Sequence, residues 1–196
     1  KEIAAILGTK QVTEHMMYAG DSIVVGGVAV RSLSPAAPLD NQYISWKQHS
    51  LAHTDADTSA VLGATSSDMN MDSIVLHLAY GDFDVILTGD ADAKSQSSLE
   101  PIHVADGRVE LLKVPHHGAK NGMSESFLTS LCPRCTSTSS IRPAAIISVG
   151  KNTYGHPSDE VISRIQKHGY DVFRTDRQGD ITVSSDGVGW EIHPSK

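Results

Sequence analysis

Three short apolar runs in this chain stop abruptly at polar clusters, and that pattern does most to restrict its fold. Val85-Ile86-Leu87 gives way to Thr88-Gly89-Asp90. Leu111-Leu112-Lys113-Val114 runs straight into Pro115-His116-His117-Gly118. Ala144-Ala145-Ile146-Ile147-Ser148-Val149 ends at Gly150, and Asn152-Thr153-Tyr154-Gly155-His156-Pro157 follows. Apolar runs of this length read as buried strands. Strands interleaved with helices make an α/β or α+β chain. Such folds carry ligand groups on loops at strand ends, where a rigid sheet holds them.

The other segments fit that frame. β-rich stretches from Ile23 to Ser34 flank Gly26-Gly27, as in a small hairpin. Residues 35–72 are rich in Pro, Asp, Ser, Thr and Met without a clear period, and 35–69 reads as a loop or insertion. A second hairpin pairs Ile74–Tyr80 with Phe83–Thr88 across Gly81-Asp82. Residues 91–99 are expected to be helical. Ser124 is a helix N-cap for a segment through Leu131. Ser158 caps another helix, with Asp159 and Glu160 in the first turn, Val161, Ile162 and Ile165 as the core stripe and Gly169 as the stop. Asp171–Arg174 and Ile181–Val183 are strands joined by the turn Asp176–Gly179, and a last hairpin turns at Asp186-Gly187. The whole of 1–196 is read as one domain.

Composition narrows the partners. Sixteen basic against twenty-three acidic residues give a formal charge of −7. Proteins that grip nucleic acid by general electrostatics are usually basic, so a polyanionic substrate here needs bound cations or local Lys and Arg. No apolar run is long enough to span a bilayer. The start, Lys1-Glu2-Ile3-Ala4, has neither an initiator Met nor a signal-peptide pattern, and is expected to lie inside a longer protein. Cys132 and Cys135 are spaced C-x-x-C, one pair short of a four-thiolate zinc knuckle. Pro133-Arg134 and the Ser/Thr run after them favour a surface-loop thiol pair over a redox or zinc site.

The polar clusters supply the chemistry. Adjacent His116 and His117 in an irregular loop can point at neighbouring centres, and neutral imidazole is a common ligand for zinc, manganese or iron. Two surface histidines are an equal reading of the dipeptide. Asp90, after Gly89, can bridge two cations of the kind that clamp attacking and leaving oxygens in hydrolysis. Alternatively it is the N-cap of a helix starting at Ala91. His156, ahead of the helix capped by Ser158, can contact an anionic group, or is a plain loop histidine. Lys120 and Asn152 lie nearby in sequence and can touch an anionic substrate; solvated loop positions are the blander reading.

Order and spacing add what single clusters do not. Asn70-Met71-Asp72-Ser73-Ile74-Val75-Leu76, Tyr80-Gly81-Asp82-Phe83, Leu87-Thr88-Gly89-Asp90, Leu112–Gly118, Ile147–Asn152, Tyr154-Gly155-His156-Pro157, Arg174-Thr175-Asp176 and Gly179-Asp180-Ile181 follow one another through the chain. With Ala19-Gly20-Asp21 and Gly26-Gly27-Val28 before them, they resemble the C-terminal metallo-β-lactamase-like domain of ComEC-type competence proteins, a DNA-uptake channel family. The resemblance implies an αββα sandwich, mainly its C-terminal half, with one or two divalent metals, zinc or manganese, at the edge between its sheets. It implies Asp90 as a catalytic metal-ligand carboxylate, one or both of His116 and His117 as further ligands, and His156 lining the site. The implied reaction class is hydrolysis by metal-activated water, a phosphodiesterase or, for competence proteins, a nuclease acting on the non-imported DNA strand.

The chain departs from that pattern. It lacks the His-x-His-x-Asp-His motif that supplies most metal ligands of the family fold; His53-Thr54-Asp55-Ala56-Asp57 is only faintly similar and reads as loop. Ala119 stands where the family commonly has Ser. The expected partners are therefore the missing first half of the domain and a membrane channel region, with single-stranded DNA as a further partner and a homo-oligomer through an uncovered sheet face. The expected place is the extracytoplasmic side of a bacterial cytoplasmic membrane. Two other functions fit the residues: a non-catalytic binding module that lost its metals, and a hydrolase of a small phosphoester or lactone.

Overall fold

The computed structural model describes residues 17–37, 73–99, 102, 104, 107–135 and 142–196. Most of the 35–69 stretch, including His53–Asp57, lies outside the described residues. Two hairpins come first: β1 (Ser22–Val25) with β2 (Val28–Ser34), then β3 (Val75–Tyr80) with β4 (Phe83–Leu87). Each pair is antiparallel, and β2 also joins β3 antiparallel. After β4 the chain crosses back through helices. These are α1 (Ala93–Gln96), α2 (Glu125–Leu131) and α3 (Asp159–Lys167), between β4, β5 (Leu111–Lys113), β6 (Ala144–Ile147) and β7 (Asp171–Arg174). Such crossovers return each strand parallel to the last, and β4-β5-β6-β7 are parallel neighbours. The result is one seven-stranded sheet in the order β1 to β7, half antiparallel and half parallel. A one-turn helix, α4 (Thr175–Gln178), leads to a separate hairpin of β8 (Ile181–Ser185) and β9 (Trp190–Pro194).

Register decides which side chains meet. Ile86, Leu112, Ala145 and Val172 stand opposite one another across β4 to β7. They belong to the larger core, together with Phe127, Leu128 and Leu131 of α2 and Val161 and Ile165 of α3. Because strand side chains alternate, Val85, Leu111 and Ala144 face the other way. There they pack with Phe83, Val183, Trp190 and Ile192, so the β8–β9 hairpin covers that face. Phe83 and Trp190 meet at 5.9 Å between ring centroids. Helices on one face and a second, smaller sheet on the other make a mixed α/β layering compatible with the expected α+β sandwich. The smaller sheet leaves a groove of about 190 Å³ lined by Val28, Leu78, Tyr80, Phe83, Val85 and Ser185. Ile23, Val24 and Val25 of edge strand β1 are exposed.

Both expected caps form: the Ser124 hydroxyl accepts from Phe127 N–H and that of Ser158 from Val161 N–H. The helix expected at 91–99 is a single turn, and its cap is Asp92, which accepts from the Lys94 and Ser95 amides at 3.1 and 2.9 Å. Asp90 is thus not the cap. In place of the expected turn Asp176–Gly179, Thr175–Gln178 is one helical turn ended by Gly179, and β7 and β8 do not pair with each other. The expected surface thiols are also corrected: Cys132 is buried and disulfide-bonded to Cys135. Among the described residues, no helix is long and apolar enough to cross a membrane.

Candidate functional site

Since β4, β5 and β6 are parallel neighbours, their C-terminal ends lie along one edge of the sheet. The loops that leave those ends are the three polar clusters. They are stitched together by backbone bonds: His116 N–H donates to Gly89 O at 3.4 Å, and Ser158 N–H donates to Gly118 O at 2.9 Å. The structure therefore brings the Asp90, His116–His117 and His156 loops to one place.

The middle loop is a tight left-handed turn. His116 and His117 have φ of 47° and 54°, followed by Gly118 at 79°. Non-glycine residues there carry roughly 1–3 kcal/mol of strain each, and such strain gathers at functional sites. The turn fans the two rings apart, with centroids 6.4 Å from each other, and sets His116 5.6 Å from His156. His117 Nδ1 lies 2.7 Å from the Ser148 carbonyl. A carbonyl only accepts, so Nδ1 carries the proton and the Nε2 lone pair of neutral His117 is available. His116 Nδ1 is buried with no hydrogen-bond partner among the described residues. An orphaned buried nitrogen of this kind calls for a ligand or water. Burial first, then the charges of His116 and His117, hold the His156 pKa below the ordinary imidazole value. Its ring is correspondingly biased toward the neutral, metal-binding form.

Two scaffold residues complete the edge. Lys113, half-buried at the end of β5, donates from Nζ to Gly89 O at 2.6 Å and lies 3.8 Å from Asp90 Oδ1. Its own carbonyl accepts from Thr88 Oγ1 at 2.7 Å. Burial pulls the Lys113 pKa down, and the Asp90 charge opposes that pull. Asn152 uses both amide hydrogens on Gly150 O and His156 O, and its Oδ1 accepts from the Tyr154 and His156 amides. All four of its bonding positions are spent closing its own loop. Lys120 pairs instead with Glu160 of α3 at 3.4 Å and is largely exposed.

The donors suit a divalent cation in kind: three imidazoles and a carboxylate, with His116 Nδ1 lacking a hydrogen-bond partner among the described residues. They do not suffice in number. Among the described residues, no group of three or more His, Cys, Asp or Glu side chains is arranged to hold a metal ion. Lys113 was hidden in the sequence, since a lysine within an apolar run reads as a solvent-facing strand position. Its role depends on Gly89, 24 residues away.

No protein-family model matches the chain, and no solved structure matches it significantly. Curated relatives do. ComE operon protein 3 of Bacillus subtilis (strain 168) is 35% identical over 113 residues, 57% of this chain and 13% of that protein. Competence protein ComA of Neisseria gonorrhoeae is 32% identical over 113 residues, 57% of this chain and 15% of that protein. Recombination protein 2 of Haemophilus influenzae is 32% identical over 116 residues, 59% of this chain and 13% of that protein. The matches thus span about an eighth of each relative's length. Over the part that matches, this chain is a homologue of ComEC-type competence proteins.

Proposed function

We propose that this chain is a metallo-β-lactamase-like domain of a DNA-uptake protein and acts in cation-dependent phosphodiester hydrolysis. The observation that carries the reading is the convergence of Asp90, His116, His117 and His156 on one edge of the parallel strands, with His116 Nδ1 buried and unpartnered. Asp90, His116 and His117, which do not form a closed set among the described residues, would hold the ion only together with donors supplied from outside those residues. Zinc or manganese, one or two ions, would supply a polarised phosphoryl oxygen and an acidified water. The chain's own residues do the positioning. Ser148 fixes the His117 tautomer, Lys113 and Thr88 hold the Asp90 loop against the His turn, and Asn152 sets His156. Neutral His156 is suited to accept a proton or face an anionic oxygen. Lys120 is exposed and paired with Glu160, so it would have to leave that carboxylate to meet a phosphate. In the parent protein the domain would work outside the cytoplasmic membrane, beside a membrane channel region. The Cys132–Cys135 disulfide supports that, because such bonds persist in oxidising compartments.

Titration with Mn²⁺ or Zn²⁺ tests the reading. The chain should bind weakly, and Asp90→Asn, His116→Ala and His117→Ala should each reduce that binding. Binding of equal strength in Asp90→Asn and the unaltered chain would remove Asp90 from the site. The incomplete donor set favours one second reading, a module that binds without catalysis. No hydrolysis of a simple phosphodiester after the chain is extended upstream, at saturating cation, would select it.

A further inference from the structure

Tyr154 leaves 82% of its surface in solvent although it stands beside the imidazole cluster. The ring is not loosely placed. Its backbone N–H is held by Asn152 Oδ1 at 3.1 Å, and the same oxygen and amide pin His156. The ring stacks on His156, with centroids 6.1 Å apart and planes inclined by 23°, and His156 in turn lies 5.6 Å from His116. One face of an oriented aromatic ring is therefore backed by an imidazole while the remainder is open. The flanking residues Lys151, Asn152, Thr153 and Gly155 are all exposed and none is apolar. An apolar protein surface finds nothing more to bury here than one ring. A nucleobase needs only that ring: stacking on a single aromatic side chain is sequence-tolerant, because every base has a π-face.

We propose that Tyr154 is a base-stacking subsite for single-stranded nucleic acid, placing the adjoining phosphate at the His116–His156 edge. The proposal rests on the phosphodiester reading above and narrows its substrate class, since a small phosphoester or lactone has no base to stack. A duplex keeps its bases stacked on one another, so the strand that binds is unpaired. Lys151, next along the loop, offers positive charge to the backbone in a chain whose net charge is −7.

The test is equilibrium binding of a short fluorescent oligothymidylate to the full 196-residue chain in EDTA, so that no cation chemistry contributes. Tyr154→Ala should weaken binding by roughly 10- to 100-fold, the range for losing one base–aromatic stack. Tyr154→Trp should retain binding, with its emission quenched as the base seats. An abasic strand of equal length should bind the unaltered chain and Tyr154→Ala alike. Oligouridylate binding with the same dependence on Tyr154 would support the subsite and extend it to RNA. Equal oligothymidylate binding by Tyr154→Ala, an equal loss on the abasic strand, or no binding by the unaltered chain would each overturn the proposal. Failure of the cation titration would leave these outcomes unchanged, so the two readings fail separately.

Discussion

A Cβ added to Gly118 would lie 2.6 Å from Pro157 Cβ and 3.2 Å from its Cα, in a residue already at φ 79°. The close approach of the His–His turn to the His156 loop therefore depends on a missing side chain. Gly118→Ala should cost about 2 kcal/mol or more, from left-handed strain plus overlap with Pro157. Urea unfolding measures this, and a change below about 0.5 kcal/mol would show that the loops separate at little cost. His156 gives a second residue-scale expectation. Its pKa is lowered by burial and by two neighbouring imidazoles. The unfolded chain thus binds its proton more readily, so His156 destabilises the fold as pH falls through its ordinary range. In a proton NMR titration, its midpoint should lie below that of a free imidazole, and His117→Ala should move it upward. The donors themselves were visible in the sequence because Asp and His declare their chemistry by type. Asn152 and Lys113 did not, because an amide or an ammonium declares nothing about which carbonyl it will meet. Asn152 has two readings in the sequence, a substrate contact or a solvated loop position, and its amide bonds within its own loop.

At the scale of elements, what was legible was local. The Ser124 and Ser158 caps, the stripe of Val161 and Ile165 and the Gly81-Asp82 hairpin are each fixed by residues within a turn or two. The adjacency of β4, β5 and β6 was not, since parallel pairing is decided by crossovers through the helices. That adjacency makes one site out of three loops. The helix expected at 91–99 shortened because Asp92 took the cap and the chain then turned at Ser97–Leu99, where neighbouring residues lie outside the described ones. Cys132 and Cys135 show the same limit. Spacing placed them in a loop, but only the packed end of α2 buries Cys132, beside the backbone bond from Val109 N–H to Leu131 O. The pair lies beyond a helix C-terminus, where the dipole disfavours a thiolate, so the bond reads as a clip rather than an exchange site. Reduction should lower stability by about 2 kcal/mol, as expected for closing a very short loop. A thermal scan with and without reductant reads the difference, and an unchanged midpoint would make the clip dispensable.

For the molecule as a whole, the two ends of the parallel strands carry different work. The C-terminal ends hold the imidazoles. The N-terminal ends hold a buried polar network in which Glu110 accepts from Asp84 N–H at 3.0 Å and from Arg108 Nε at 2.6 Å, while Asp84 pairs with His77 at 2.5 Å. Tyr170 adds a fully buried hydroxyl with no hydrogen-bond partner among the described residues. Burial, with the Glu110 charge behind it, pushes its phenol well above the ordinary value, so it stays protonated. These facts predict opposite responses from two conservative substitutions. Glu110→Gln keeps the shape but presents an amide donor to one of two donors, and removes the charge facing Arg108. It should cost about 2–4 kcal/mol. Tyr170→Phe removes a group that was desolvated without compensation, and should be neutral or stabilise by about 1 kcal/mol. Neither should disturb the His116, His117 and His156 ring resonances if the ends of the sheet are energetically separate. A loss of more than about 1 kcal/mol in Tyr170→Phe would mean that the hydroxyl is bonded, through water or otherwise. The network would then extend across the core from β3 to the start of β7, and Glu110 would anchor more of the fold than its two contacts indicate.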